Sequence, residues 1–144
     1  MPGHFTGLGI SFLYPDSWKI EEEVAGDSVT VESSEGAFVS ISRSPNLEDL
    51  QGALQAAQAT MQEEYEEVER ESCNLTIADQ PLEGVILRFV FIDLIVCSQL
   101  LAFTHAGATY LVQIQAEDRD FDRLQPVFEA ILTSLCQNLA DTAG

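Results

Sequence analysis

The sequence predicts a single α+β domain with an antiparallel sheet of about six strands and two main helices. The first observation is the run VILRFVFIDLIVCSQLLAF at residues 85–103, where nearly every residue is apolar and β-branched and aromatic types dominate. That bias favours strands over helix. The second observation is that apolar residues recur at spacings of three and four over 47–68 and 126–136, as on one face of a helix. A chain of 144 residues is long enough for one domain with a buried core.

Three polar residues, Arg88, Asp93 and Gln99, interrupt the apolar run. A charge near the centre of a bilayer costs about 2.5–3.5 kcal/mol, so two charges argue against a membrane-spanning segment. We therefore expect two strands, 85–92 and 95–103, which meet in a tight turn near Asp93.

Residues 109–116 (TYLVQIQA) alternate between apolar and polar types and predict a third strand. The three strands would form a central antiparallel meander. Strands that are apolar on both faces are usually covered on both faces. If both helices lay on one face, the other face would remain apolar and available to a partner.

Further strands and the two helices are expected around this meander. Helix 47–68 follows Asn46, a favourable N-cap residue, and its end is rich in glutamate. Because acids at the end of a helix oppose its dipole, the last turn is expected to fray. Helix 126–136 begins with Pro126, which is tolerated at the first helical position. The domain would span 1–137, followed by a disordered tail over 138–144. The shorter predicted strands are 10–13, 28–32, 37–42 and 75–77.

The charge is unusual, because 24 acidic residues against 6 basic ones give a formal net charge of −18. The phosphates of nucleic acids and anionic membrane surfaces would repel such a protein. We expect neither nucleic acid nor membrane insertion, and a basic protein partner fits the charge better.

The cysteines are Cys73, Cys97 and Cys136, an odd set without a CxxC motif. This pattern argues against a disulfide framework and against a zinc site. The start of the chain has no basic segment followed by a long apolar one, so no secretory signal is predicted. A cytoplasmic protein with free thiols and no cofactor is the simplest expectation.

One motif could suggest calcium. Asp118, Asp120 and Asp122 form D-x-D-x-D, and Glu129 occupies the twelfth position, as in an EF-hand loop. The sixth position of such a loop is glycine, whereas here it is Arg123. Acids that begin a helix are the better interpretation, and no metal site is predicted.

Catalysis is not predicted either. The only histidines are His4, near the start of the chain, and His105, in an expected turn. A nucleophilic Cys or Ser needs a general base beside it, and the sequence gives no sign of such a pair. No glycine-rich phosphate-binding loop is present.

Arg88 is the main candidate for a binding residue. On a strand it shares one face with Val90 and Ile92, because side chains alternate between faces. An arginine in an apolar strand is most simply explained by an outer position or by pairing with an acid. The functional hypothesis is a partner-facing surface formed by Arg88, Val90 and Ile92.

The order of the segments resembles that of PsbP-like domains. The resemblance implies an α/β/α sandwich around an antiparallel sheet. The family includes a photosystem II extrinsic subunit, a nuclear factor that binds the Ran GTPase, and bacterial chaperones of secreted effectors, so the resemblance implies a binding or assembly module. No residue-level binding motif can be carried over. The matching segments are an opening strand leading into YPDSW (14–18), FVSIS (38–42) before a helix, the loop IADQPLEG (77–84), the meander, and ILTSL (131–135) at the end of the last helix.

Together these observations predict a non-enzymatic protein-binding module, such as an adaptor or chaperone. Its partner would be another protein that is basic or carries an apolar segment, with a homodimer also open. The alternative is a small-ligand-binding or enzymatic domain with a cleft near the meander turns. A structural subunit of a larger assembly is the third hypothesis.

Overall fold

A computed structural model of the chain describes residues 2–23, 27–44, 50–65 and 67–143, with the backbone alone at 50, 51, 53 and 140–143. Within these residues, ten strands and three helices follow one another along the chain. The strands are β1 (Gly3–Gly7), β2 (Ile10–Tyr14), β3 (Lys19–Glu23), β4 (Ser28–Glu32), β5 (Phe38–Ser44), β6 (Glu69–Ser72), β7 (Leu75–Ile77), β8 (Gln80–Phe91), β9 (Leu94–His105) and β10 (Ala108–Glu117). The helices are α1 (Leu50–Glu64), α2 (Asp118–Arg123) and α3 (Gln125–Ala143).

The predicted meander is confirmed as β8, β9 and β10, which lie inside an eight-stranded antiparallel sheet. The strand order is β3-β4-β5-β10-β9-β8-β6, and β7 pairs with the beginning of β8. Val90 lies opposite Ile95, and Ala108 lies opposite His105. Each meander strand is longer than predicted, although β8 ends at Phe91, one residue before the predicted end at 92, and two-residue turns join the strands. β1 and β2 form a separate two-stranded sheet.

The meander is covered by a different helix on each face. On one face, Leu54 and Met61 of α1 form a buried cluster with Leu100 and other side chains of β8 and β9. On the opposite face, Phe128 and other α3 residues pack in a larger cluster that contains Leu101. Adjacent residues of a strand point to opposite faces, so the architecture is an α/β/α sandwich, as the resemblance implies.

An open apolar sheet face would require both helices on one face, and this condition is not met. With α1 and α3 on opposite faces, each side of the meander has its own cover. Among the described residues, large apolar side chains remain exposed only at Leu13 and within residues 90–95. In the part of the chain that the structure describes, these two places are where large apolar side chains could contact a partner.

The first predicted helix is shorter than expected. α1 ends at Glu64 instead of 68, and the chain enters β6 at Glu69. The acidic run at this end opposes the helix dipole, which accounts for the early end. The expected helix start at 47 and its cap, Asn46, lie outside the described residues.

The last helix is longer than expected. α3 continues to Ala143, beyond the predicted end at 136, so the expected tail over 138–144 is helical up to that residue. Leu139 is buried and continues the apolar stripe of Leu132 and Leu135, which accounts for the extension. The domain boundary at 137 stays a prediction. No described helix is long and apolar enough to cross a bilayer.

The sequence analysis missed β1, β3 and β6. Their sequences are glycine-rich (GHFTG) or strongly charged (KIEEE and ERES), without clear apolar alternation. β3 and β6 end the sheet order. Charged side chains on end strands discourage pairing with other chains, which explains why these two strands lack the apolar signal.

Gly84 lies where β8 approaches its neighbours too closely for a side chain. A Cβ atom there would clash with the carbonyl oxygen of Leu100 and would lie 2.6 Å from Cδ2 of Leu101. We expect Gly84→Ala to lower the free energy of unfolding by about 1–3 kcal/mol, because the backbone of β9 would have to move. Urea unfolding measures this change.

The control for this variant is Gly107→Ala. Gly107 has φ of +79° and no atom within 4 Å of an added Cβ, so it reports the backbone effect alone, about 1 kcal/mol. Equal losses at the two positions would contradict a packing role for Gly84.

Candidate functional site

The turn between β8 and β9 carries a patch of exposed apolar side chains, here called the hairpin tip (residues 90–95, VFIDLI). Of the six large apolar side chains that stay exposed among the described residues, five belong to the hairpin tip and the sixth is Leu13. Ile92, at the apex, is 77% exposed. Scattered apolar residues are ordinary on a protein surface, but a contiguous group is typical of an interaction site.

The backbone of the hairpin tip is unfavourable for its sequence. Ile92 and Asp93 form the turn predicted near Asp93, and both have positive φ, +47° and +64°. This is the pattern of type I′ hairpin turns, which favour Asn-Gly and Asp-Gly. A β-branched residue with positive φ is an outlier, and such strain often accompanies function.

Burial does not offset the strain at Ile92. Leu8 occupies the equivalent position of the turn between β1 and β2, with φ of +54°. Its side chain packs partly against the core, and its carbonyl accepts a hydrogen bond from the Tyr110 hydroxyl at 2.6 Å. Ile92 faces solvent instead. The structure of the isolated chain therefore gives no stabilising reason for isoleucine at this position.

Aromatic contacts fix the base of the hairpin tip to the end of α1. The ring of Tyr65 stacks on that of Phe89 with centroids 4.0 Å apart, and it meets Phe91 edge-on at 5.8 Å. Aromatic pairs of this kind stabilise by about 0.5–1.5 kcal/mol beyond their burial. The tip thus projects from a base that is held in place.

Arg88 forms ion pairs below the hairpin tip. Its Nη1 lies 3.7 Å from Oε2 of Glu71, and its Nε lies 3.8 Å from Oδ1 of Asp118. Pairs at this distance and exposure contribute about 0–1 kcal/mol. These ion pairs agree with the interpretation that Arg88 interrupts the apolar strand because it pairs with an acid. A role of Arg88 in binding stays a prediction.

The surroundings of the hairpin tip are acidic. Five carboxylates flank the tip and its base, and Arg88 forms ion pairs with two of them. A shallow hollow of about 450 Å³ runs between this base and the side chains of Val90 and Ile95. A partner with a basic rim would complement this charge. The carboxylates are those of Glu67, Glu69, Glu71, Asp93 and Asp118.

The structure brings the predicted residues Val90 and Ile92 together at the tip, with Arg88 at its base. Sequence reasoning missed Phe91, Leu94 and Ile95 as exposed residues. The signal that could have found them was the predicted turn itself. A turn near Asp93 places the apolar residues on either side of it at one end of the meander.

Cys97 is held as a protonated thiol. Its Sγ donates a hydrogen bond to Oδ1 of Asp118 at 3.0 Å. Burial and this hydrogen bond raise the pKa of the Cys97 thiol to about 12, against the lowering effect of Arg88. Burial alone raises the pKa of Cys136 to about 11. Neither thiol is a nucleophile near neutral pH.

A second concave site, here called the α3 cleft, lies between α3 and strands β7 and β8. It encloses about 440 Å³. Its floor is formed by Ile86 and Gln99, which are cross-strand neighbours on β8 and β9. The cleft lies midway along these strands, whereas the hollow beside Val90 and Ile95 lies near the β8–β9 turn, where the alternative hypothesis expected a cleft. Its apolar walls include Leu75, Ile77, Phe128 and Leu132.

The acidic motif at Asp118 takes up a helical conformation. Asp118 and Asp120 lie in the first turn of α2, and Asp120 accepts a hydrogen bond from Arg123 at 3.2 Å. Within the described part of the chain, no three His, Cys, Asp or Glu side chains are placed to hold a metal ion. These acids therefore complement a helix start, as their position suggested.

The chain is similar to known proteins in structure, and no similarity in sequence was found. No protein-family model matches the sequence, and no curated protein matches it. The solved structures that match include three that align over most of their length. The fold is PsbP-like. CyanoP, the cyanobacterial PsbP protein from Synechocystis, is 13% identical with a TM-score of 0.65, and the match covers 92% of this chain and 90% of CyanoP.

Two further matches have the same architecture. A protein of unknown function from Pseudomonas aeruginosa is 10% identical with a TM-score of 0.59, over 93% of this chain and 95% of that one. LpqN, which is involved in cell envelope biogenesis of Mycobacterium tuberculosis, is 15% identical with a TM-score of 0.55, over 91% of this chain and 86% of LpqN. At such identities the PsbP-like fold is what these proteins share with the chain.

The strained turn leads to a stability prediction. We expect Ile92→Asn to raise the free energy of unfolding by about 1 kcal/mol, because asparagine tolerates positive φ far better than isoleucine. Urea unfolding measures the gain. Ala106→Asn is the matched control, since Ala106 begins the other meander turn with φ of +51°. Its gain should be smaller because alanine is not β-branched. A loss of stability in Ile92→Asn would contradict the strain at this turn.

The thiols give a second prediction, on reactivity. N-ethylmaleimide at pH 8 should label only the half-buried Cys73 in the folded protein, and all three cysteines in guanidinium. Mass spectrometry counts the adducts. Rapid labelling of Cys97 in the folded state would contradict its burial.

The same thiols make stability depend on alkaline pH. The pKa values of Cys97 and Cys136 in the folded protein, about 12 and about 11, lie above the ordinary value of 9.0. Their protonated forms therefore stabilise the fold fully below pH 9. This contribution is lost as the pH rises through 11 and 12.

Proposed function

We propose that this chain is a non-enzymatic protein-binding module that inserts its hairpin tip into an apolar groove of another protein. The observation that carries the proposal is the exposed Ile92 in a strained turn, among four further exposed apolar side chains of the same six-residue segment. A role as adaptor or chaperone fits a projecting apolar element of this kind. The PsbP-like fold is compatible with an accessory or binding module.

Charge supports the choice of a basic partner. The formal net charge is −18, and carboxylates flank the hairpin tip. Complementary charge speeds association and selects among partners more than it adds affinity. We propose that Arg88, Val90 and Ile92 all contact the partner, with Val90 and Ile92 contributing the apolar contact and Arg88 lying beside it at the base of the tip. A second copy of this chain would bring acids against acids and is disfavoured.

We propose a cytoplasmic location, which the three free cysteines support. The alternative of an enzymatic domain has less support. Cys97 and Cys136 are protonated near neutral pH. Cys73 is half-buried beside Gln99, which is not a general base.

The test compares capture from native cell extract by wild type and Ile92→Asp. We expect one stoichiometric protein with wild type, captured less well at high salt, and at least a tenfold loss with Ile92→Asp, because a carboxylate would be buried unpaired in the partner's groove. Quantitative mass spectrometry measures the captured amounts.

Leu13→Asp is the matched control, since Leu13 is the exposed apolar side chain of β2, outside the hairpin tip. It should capture the same protein as wild type. Equal loss in both variants, or unchanged capture by Ile92→Asp, would overturn the hairpin tip as the binding site. A wild-type dimer that Ile92→Asp converts to a monomer would assign the tip to self-association instead.

A further inference from the structure

We propose that the α3 cleft is a second binding site, which takes an uncharged or cationic small amphiphile with an apolar body and one hydrogen-bonding head group. The cleft shares no lining residue with the hairpin tip. Gln99, at its floor, is the polar interruption of the central run that lies away from the tip.

Gln99 is 8% exposed and lies on a strand whose other residues from Cys97 to Phe103 are nearly all small or apolar. Burying a carboxamide costs free energy unless its hydrogen bonds are satisfied. Its Nε2 donates to Sγ of Cys73 at 3.2 Å, and sulfur is a weak acceptor. Its carbonyl oxygen has no donor among the described side chains. The residue thus offers both a donor and an acceptor at the floor of the cleft.

The shape of the cleft suits a small molecule. Its volume of about 440 Å³ falls within the usual range for ligand sites, about 300–1,000 Å³. Aliphatic and aromatic side chains from α3, β7 and β8 form much of its walls, and the polar lining residues besides Gln99 are Thr76, Gln125, Glu129 and Thr133. An alkyl or aromatic body would contact these walls, while its head group would exchange hydrogen bonds with the carboxamide.

Charge decides which head groups are acceptable. Glu129 lines the cleft and is exposed, and no lining residue among those described is cationic. The whole chain is strongly negative. An anionic head group would therefore meet only repulsion, whereas a neutral amide or an ammonium group would not.

The test uses three probes with the same ten-carbon chain: decanamide, decylammonium and decanoate. Binding is followed by NMR shifts of backbone and Gln99 side-chain amides. We expect decanamide and decylammonium to shift residues of β7, Gln99 and Phe128, and decanoate to bind at least tenfold more weakly. No shift at these residues with any probe, or equal affinity for all three, would overturn the proposal.

Two variants locate the site. Gln99→Leu should weaken decanamide binding about fivefold to tenfold, as expected for the loss of a hydrogen bond of about 1–1.4 kcal/mol. Thr76→Trp, at an exposed residue that lines the cleft, should block it without disturbing the core. Thr104→Trp, at an exposed residue of β9 outside the lining, is its control. Binding that survives Thr76→Trp would overturn the assignment.

Ile92→Asp separates this proposal from the protein-binding one. It should leave decanamide binding unchanged, because Ile92 lies outside the cleft. Shifts confined to residues 90–95, and lost in Ile92→Asp, would show that the probes bind only the apolar hairpin tip and would overturn the cleft as a site.

Discussion

The two-sided burial of β9 is the constraint on which the rest of the structure depends. Seven consecutive residues, from Cys97 to Phe103, are buried. Because side chains alternate along a strand, this run cannot be satisfied by a single covering layer. The chain must supply one layer from α1 and another from α3 and the β1–β2 hairpin. The α/β/α sandwich follows from this requirement.

The same constraint fixes the position of close backbone contacts. A strand buried on both faces must also be paired on both edges, and β9 lies between β8 and β10. Gly84 allows β8 to approach the backbone of Leu100, where a side chain would clash. Its amide nitrogen also donates to Oδ1 of Asn74 at 3.3 Å, which holds the segment before β7 against the sheet. The register between β8 and β9 is thus fixed by side-chain packing as well as by the backbone hydrogen bonds between the two strands.

The central strands could be predicted from their β-branched and aromatic bias, the turn from the charge of Asp93 inside an apolar run, and the two main helices from their apolar period. β3 and β6 could not, since charged edge strands carry no apolar alternation. The sequence also could not predict that the two main helices cover opposite faces of the sheet. The apolar stripe of an amphipathic helix shows which side of the helix is buried, but not which face of the sheet it covers. For the site, Arg88, Val90 and Ile92 followed from alternation. The strain at Ile92 needed the backbone dihedral, and the neighbours of Gln99 needed the fold.

The hairpin tip is exposed because the elements that cover one face of β8 and β9 do not extend to the turn between these strands. Successive cross-strand pairs on this face are Gly84 with Leu101, Ile86 with Gln99, Arg88 with Cys97, and Val90 with Ile95. The first is covered by the core, and the second forms the floor of the α3 cleft. The third meets Asp118, at the start of α2. The fourth faces solvent. Cover decreases stepwise toward the turn, yet the last pair, Val90 with Ile95, is apolar. If β8 and β9 contributed only to the stability of the domain, their side chains would be expected to become polar where the covering layer ends. Val90 and Ile95 are instead apolar and exposed.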